Sequence, residues 1–312
     1  MPVTTRSKLV LEVASELVAL EDKPWRQAML YLREQGEDGW SARLFASDTP
    51  AGIEAVARGE ADLGIINPSG PLTLAYRGAG PYKEPLPVRA IAVIPSYDQF
   101  MWAVHPDTGL RDFEEIGEMR VPLRISVRGQ HDHSVHFMLD HIMEAAGFTT
   151  DEFRSWGGEL IFQQGMPNND RRVGSFQRGE VNAIFDEAVG LGIPVAVANG
   201  MTVLPLREAT VRKLEALGYR RGIIEAKDYP GLPADVLSID FSGWPVFCNE
   251  RTPDDLVTAI CAGLEARKDR IPWQGEGPLP LERMCFDTPE GPLDVPLHAA
   301  AERFWRQRGY LK

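Results

Sequence analysis

The sequence predicts an α/β protein of two lobes, and three observations predict it. Short apolar strands alternate with amphipathic helices along the first third, the alternation restarts after Arg120, and one strand-and-helix unit recurs in both halves. The 312 residues give enough chain for two domains of ordinary size with a cleft between them.

Taken in order, Leu9 to Ala14 is expected as a short strand. Pro24 to Gln35 is expected as a helix entered through its proline, and Ser41 to Ala46 as a strand with alternating faces. Thr49 to Arg58 reads as a helix and Leu63 to Ile66 as a buried strand. The polar turns Ser15-Glu16, Ser47 to Thr49 and Asn67 to Ser69 are expected to share one edge of a parallel sheet. Two extended runs, VRAIAVIP and QFMWAVHP, flank Ser96, Tyr97 and Asp98 and suit a crossover between lobes. The second lobe is expected to hold strands at Leu123 to Val127, Leu160 to Gln164, Val181 to Phe185 and Thr202 to Pro205. Helices are expected there at Asp170 to Arg178 and Gly190 to Ala198. Val236 to Asn249 returns as an extended stretch, helices Asp254 to Arg267 and Leu297 to Gln307 close the chain, and Pro272 to Pro296 reads as a surface linker. The first lobe is thus expected to comprise residues 1–98 plus 240–312, and the second residues 99–239. The internal echo is ARGEADLGII at Ala57 to Ile66 against QRGEVNAIF at Gln177 to Phe185, with Gly59 and Gly179 in positions that suit a helix C-terminus.

Four of the six histidines fall between Arg120 and Gly147. Val135, Met138, Leu139, Ile142, Met143 and Ala146 repeat at helical spacing, so Arg128 to Ser134 must connect a strand to that helix. Such a loop faces the carboxyl end of the strand beside a helix N-terminus, where free N–H groups attract anions. Arg128 offers a planar fork for a carboxylate, and His131 and His133 offer donors, acceptors or metal nitrogens. A solvated flank explains His141 without any ligand, whereas His136 and Asp140 fit either role. If a divalent metal is bound, His131, His133 and His136 are its candidate ligands, although the spacing matches no strong metal signature; otherwise no cofactor is expected.

The formal charge of −12 argues against nucleic acid as a partner, because no basic stripe offsets an acidic surface. Cys248, Cys261 and Cys285 fit buried reduced thiols better than a disulfide framework. No apolar run reaches the roughly 18 residues of a membrane span, and the N-terminus carries no secretion pattern. The chain as given is therefore expected in the cytoplasm, or in the periplasm if an export signal has been trimmed. No glycine-rich phosphate loop and no G-x-S-x-G elbow occurs.

The segments RGEADLGIINPS, QRGEVNAIFDEAVGLGIPV, LPLREATVRKLEALGYRRGIIEAKDYPGLPADVLSIDFSGWPVFCNERTPDDLVTAICAGLEARKD and PLHAAAERFWRQRGY carry a family resemblance. Together they resemble the solute-binding receptors of TAXI-type TRAP transporters, of the periplasmic-binding-protein type II fold. The resemblance implies a two-lobed receptor that closes on a small organic anion, with membrane permease subunits as partners. Two stretches depart from it. Ser15 to Leu20 replaces a Gly-rich loop with an aromatic, and Arg128 to Ser134 replaces a small Gly/Ser-rich loop.

The expected ligand set is Asn67 and Ser69 from one lobe against Arg128, His131, His133, Gln164 and Asp186 from the other, around a ligand that bears a carboxylate, with or without an aromatic ring. Asp186 and Glu187 are adjacent in extended backbone, so only one is expected to face the cleft. Ser47 and Thr49 read as helix caps, and Asn67-Pro68 suits a turn as well as a site. Gln163 is the alternative to Gln164, Tyr97 and Trp244 suit a cleft floor, and Trp25, Phe304 and Trp305 read as packing. The rival function is a cytoplasmic enzyme on the same fold, a decarboxylase like 4,5-dihydroxyphthalate decarboxylase. In it His131, His133 and Asp186 would orient a carboxylate and shuttle a proton, with or without a divalent metal.

Overall fold

The structure, a computed structural model, describes residues 5–18, 27–33, 41–47 and 49–312. The chain begins with α1 (Thr5–Val18), followed by β1 (Gln27–Arg33), β2 (Ser41–Ser47), α2 (Ala51–Ala57), β3 (Leu63–Ile65), α3 (Ser69–Arg77) and β4 (Val88–Ile94). Next come β5 (Met101–Val104), α4 (Glu115–Glu118), β6 (Arg124–Arg128), α5 (Ser134–Ala146), α6 (Thr150–Ser155) and β7 (Glu159–Gln163). The order continues through α7 (Asp170–Gln177), β8 (Ala183–Asp186), α8 (Val189–Ala198), β9 (Thr202–Val203), α9 (Glu208–Leu217), β10 (Arg221–Ile224) and β11 (Val236–Ile239). It closes with β12 (Trp244–Asn249), α10 (Asp254–Arg267) and α11 (Ala299–Gln307).

Two five-stranded sheets result, β1-β2-β3-β12-β4 and β7-β6-β8-β5-β9, and β10 and β11 form a separate hairpin. In the first sheet β2 and β3 run parallel while β12 is antiparallel to both β3 and β4, so β2, β3 and β4 end on one edge. In the second sheet β6 is parallel to β7 and β8, which places their carboxyl ends together as well. The fold is α/β and two-lobed, as expected. Gly59 and Gly179 end their helices with φ of 73° and 70°, the left-handed conformation that glycine adopts without strain.

Each sheet is covered on both faces over its central strands, while the edge strand β1 stays largely exposed. Ile91, Val246 and Cys248 meet Val257, Cys261, Ala301 and Trp305 of α10 and α11, while Ile53, Val56 and Leu72 of α2 and α3 fill the other side. In the second lobe Ile125, Val127, Met138, Leu139 and Leu214 form the largest cluster, and Ile184, Ile193 and Ala196 pack beneath. All three cysteines are buried and unpaired with one another. Trp305 is buried, and its indole N–H donates to the Ile91 carbonyl at 2.8 Å. Among the described residues no helix is long and apolar enough to cross a membrane.

Four expectations are corrected. Leu9 to Ala14 lies inside α1, whose Leu9, Val10, Val13 and Leu17 follow helical spacing and are exposed. Ser15 and Glu16 consequently continue a helix and do not turn at the sheet edge. Gln27 to Arg33 is strand β1, seven residues long and paired antiparallel with β2, with Leu30 and Leu32 half-buried at a period of two. Pro24 and Trp25 fall outside the described residues. The segment Pro272 to Pro296 is no surface linker: Leu279, Leu281, Met284, Cys285 and Val295 are buried in it. Its Met284 and Pro296 carbonyls accept from Val93 N–H at 2.8 Å and Ala90 N–H at 2.9 Å, so it covers the outer edge of β4.

Candidate functional site

Two crossovers join the sheets, Pro95 to Phe100 outward and Asp240 to Gly243 back, and they pair with each other. Phe241 N–H donates to the Asp98 carbonyl and Gly243 N–H to the Ser96 carbonyl, both at 2.9 Å. The Ser242 hydroxyl reinforces the ribbon by donating to the Asp98 carbonyl at 2.9 Å and accepting from Asp98 N–H at 3.0 Å. The Asp98 carboxylate then reaches into the second lobe, where it accepts from Ala188 N–H at 2.9 Å and Val189 N–H at 3.0 Å. That contact caps α8 with a negative group, where the helix dipole favours one. Burial nevertheless pushes the Asp98 carboxyl up to about 6, against those N–H bonds, and burial likewise pushes Asp240 up to about 6.

Beside this cap the carboxyl ends of β6 and β8 hold a buried cluster of ions. Arg172, from α7, is fully buried and pairs with Asp186, while its Nε donates to the Ser126 hydroxyl and its Nη1 to the Gly165 carbonyl, both at 3.0 Å. Arg128 sits above. Its Nη2 donates to Asp186 Oδ1 at 3.0 Å and to Glu187 Oε2 at 2.6 Å, and its Nη1 reaches Met166 Sδ at 3.1 Å. Burial acts to raise Asp186, but Arg128 and Arg172 outweigh it and hold the carboxyl below its ordinary range. Burial and the neighbouring Asp186 push Glu187 well up, with Arg128 pulling the other way.

Sequence reasoning had separated Asp186 and Glu187 onto different faces, and the structure overturns this. Strand β8 stops at Asp186, and Ala188 takes φ 64°, so the chain curls and both carboxylates converge on one guanidinium. Arg172 was missed. Its available signal was helical spacing: Arg172, Ser175 and Phe176 share the buried face of α7.

The loop residues fall into different roles. His133 is buried and caps α5, its Nδ1 accepting from Val135 N–H at 3.1 Å. Burial, with Arg128 adding to it, pushes this imidazole down to about 3. His136 bonds through Nε2 to the Arg128 carbonyl at 2.9 Å. His131 is exposed and stacks on Phe162 at 3.8 Å between centroids. The three rings, proposed from sequence as metal ligands, thus have separate partners; among the described residues no group of three or more His, Cys, Asp or Glu is placed to hold a metal. His141 corrects the solvated-flank expectation. It is half-buried, with Nδ1 2.7 Å from the Tyr219 hydroxyl and Phe137 edge-on at 4.8 Å. Gln164 is exposed and its amide lies across Gly129, whereas Gln163 is bonded to Ser175 at 3.0 Å. Tyr97 is exposed and donates to the Ile223 carbonyl at 3.1 Å.

On the first-lobe side, Asn67 precedes a cis proline and donates from Nδ2 to the Gly243 carbonyl at 3.4 Å. Ser69 N–H donates to the Ser242 carbonyl at 3.1 Å, and the buried Ser69 hydroxyl has no hydrogen-bond partner. Ser47 and Thr49 bond to each other at 3.1 Å and Thr49 accepts from Ala51 N–H at 3.3 Å, but the N-cap position of α2 is Pro50 and no side chain caps it, so the two hydroxyls form a turn before the helix and the capping expectation is corrected. Arg128, Asp186 and His133 therefore gather at the edge of the second sheet, while Asn67 and Ser69, at the junction of β3 and α3, are bonded to the returning crossover.

A family model described as NMT1-like matches residues 49–309. The chain belongs to the NMT1-like family. No curated protein matches the sequence. Among solved structures, NMT1-like residues here are similar to a periplasmic transporter protein at 19% identity, covering 71% of this chain and 69% of that one with a TM-score of 0.35. MatC from Rhodopseudomonas palustris, solved with bound malate, aligns at 11% identity over 71% of this chain and 69% of its own, TM-score 0.36. A TctC solute-binding protein from Polaromonas aligns at 13% identity over 69% and 68%, TM-score 0.36.

Proposed function

We propose that this NMT1-like protein is a solute-binding receptor of the TAXI type that closes its lobes on a small organic carboxylate and delivers it to membrane permease subunits outside the cytoplasm. The observation that carries this reading is the Arg128 guanidinium. It already grips a carboxylate at the carboxyl edge of the second sheet, and Glu187 takes both of its oxygens to one nitrogen. The side chain of Glu187 is 9% exposed against 0% for Asp186, which supports assigning Glu187, and not Asp186, as the group a ligand meets first. A ligand carboxylate displaces Glu187 from Arg128, while Asn67, Ser69 and Gln164 contribute neutral hydrogen bonds and discriminate among ligands. Closure is stabilised by contacts that only the shut form makes.

Calorimetry against a panel of organic acids tests this. Arg128→Ala is expected to lose affinity by about 2–5 kcal/mol, the usual cost of removing a buried charged partner. Glu187→Gln removes the internal competitor and is expected to bind the same acid tighter by roughly tenfold. Undiminished binding by Arg128→Ala removes the carboxylate clamp.

One observation favours a second reading. Burial raises both the Glu187 and the Asp98 carboxyls above the ordinary carboxylate range, which is the direction that proton transfer near neutral pH requires. On this reading the cleft hosts a decarboxylase that orients the substrate carboxylate on Arg128. Carbon dioxide release from aromatic dicarboxylates, abolished in Glu187→Gln, is its expected signature.

A further inference from the structure

The carboxyl end of β4 and the start of β12 border a half-open cavity of about 310 Å³, lined by Ile94, Pro95, Ser96, Trp244, Pro272 and Trp273. Gln274 completes the lining and no charged side chain contributes to it. The cavity lies on the α10 side of the first sheet, since Ile94 and Trp273 belong to the cluster that α10 and α11 form. Ser69 and Leu72, in contrast, sit on the α3 side. This is a separate place from the ion cluster of Arg128.

Its chemistry is specific. Two indoles and two prolines make flat, apolar walls, and the indole N–H of Trp273 is already spent on the Gly277 carbonyl at 3.0 Å. Ser96 is 3% exposed, its N–H donates to the Glu290 carbonyl at 2.7 Å and its carbonyl accepts from Gly243 N–H at 2.9 Å. Its hydroxyl alone is unsatisfied, buried with no hydrogen-bond partner. Leaving such a group unpaired is costly, so a ligand that reaches it gains more than one that only fills the space. The volume lies at the low end of small-molecule sites.

We propose that this cavity is a second ligand site, for a neutral single-ring aromatic molecule bearing one hydroxyl, a phenol. The ring packs between Trp244 and Trp273, and the phenolic hydroxyl pairs with Ser96. Charged aromatics are excluded, because nothing in the lining compensates a charge. The site also touches the hinge. Ser96 stands on the outward crossover and Trp244 opens β12 just after the returning one, the two joined through Gly243, whose N–H donates to the Ser96 carbonyl and whose carbonyl accepts from Asn67 at 3.4 Å.

Fluorine NMR of 4-fluorophenol with the full chain tests the proposal, with fluorobenzene as the probe that lacks the hydroxyl. Wild type is expected to prefer 4-fluorophenol by roughly tenfold, the ratio expected for one satisfied buried hydrogen bond. Ser96→Ala is expected to abolish that preference and keep fluorobenzene binding, which a misfolded variant does not do. Trp244→Ala is expected to weaken both probes. The proposal is overturned if wild type binds neither probe, if Ser96→Ala retains the preference, or if Arg128→Ala displaces the phenol, which would place it in the other site.

Discussion

Asp186 has no exposure at all and two arginines against it, so its charge is tolerated only because both are there. Removing one partner of a buried pair strands the other charge. Arg172→Met keeps much of the apolar stem but leaves Asp186 with Arg128 alone, and urea unfolding is expected to show a loss of about 3 kcal/mol. Asp186→Asn in the same chain should recover part of that loss, because the stranded charge disappears; purely additive losses would mean the two residues do not act as a pair. Arg128 and Asp186 were legible from sequence as polar residues at strand ends. Arg172 was not, because an arginine beside Arg171 in a helix ordinarily marks a solvated face. Asp98 looked like a separator between two strands, and only the three-dimensional path shows its carboxylate reaching Ala188 and Val189.

The same contrast holds for elements. Helix α10 runs from Asp254 to Arg267, as its periodicity predicts, and β3, β6, β7 and β8 lie within two residues of their expected ends. Strand β8 is buried throughout and β6 over Ile125 to Val127, so their short apolar runs sufficed to mark them, and α10 buries Leu256, Val257 and Cys261. Residues 5–33 misled because Leu9 to Leu17 and Met29 to Leu32 are short apolar runs that satisfy both periods, and length alone does not decide between them. Helix α5 was legible, but its cap was read as a ligand. His133 accepts from Val135 N–H as an asparagine would, and burial keeps it neutral, down to about 3. The folded value is depressed from the ordinary 6.5, so its stabilising contribution is present above pH 6.5 and is lost as pH falls toward 3. His133→Asn keeps an acceptor at the cap and titrates nothing. Between pH 6 and 4 the variant is expected to gain on wild type by about 1.4 kcal/mol per pH unit. Asp98 and Asp240 titrate in the same range with the opposite slope, but they do so in both proteins and cancel in the difference. A difference that stays flat with pH would show that His133 is not held neutral by the fold.

At the scale of the whole molecule, the two lobes meet through α3 and the segment after it. Leu74 shares one apolar cluster with Val135, Met138, Leu139 and Tyr219 of the second lobe, and Ala79 and Tyr82 pack against it. The approach is close because glycine stands at the contact. A Cβ on Gly70 would lie 3.0 Å from the Tyr219 ring and 4.0 Å from Met138, and one on Gly80 would lie 3.2 Å from the His141 ring. Tyr219 and His141 are themselves joined at 2.7 Å, so the face that receives α3 is firm. This contact was invisible to sequence reasoning, which placed His141 in solvent. Gly70 sits in the first turn of α3 with helical backbone, so Gly70→Val adds bulk at the lobe contact without straining φ. Overpacking of this kind costs about 1–3 kcal/mol, and on the proposed receptor reading it falls on the shut arrangement, in which α3 meets Tyr219. If ligand binds only the shut form, the penalty passes directly into affinity, a loss of roughly 5- to 150-fold. Small-angle scattering should show a larger radius of gyration for Gly70→Val, while its urea midpoint stays close to wild type. Unchanged affinity together with an unchanged radius would mean that the contact between α3 and Tyr219 does not govern closure.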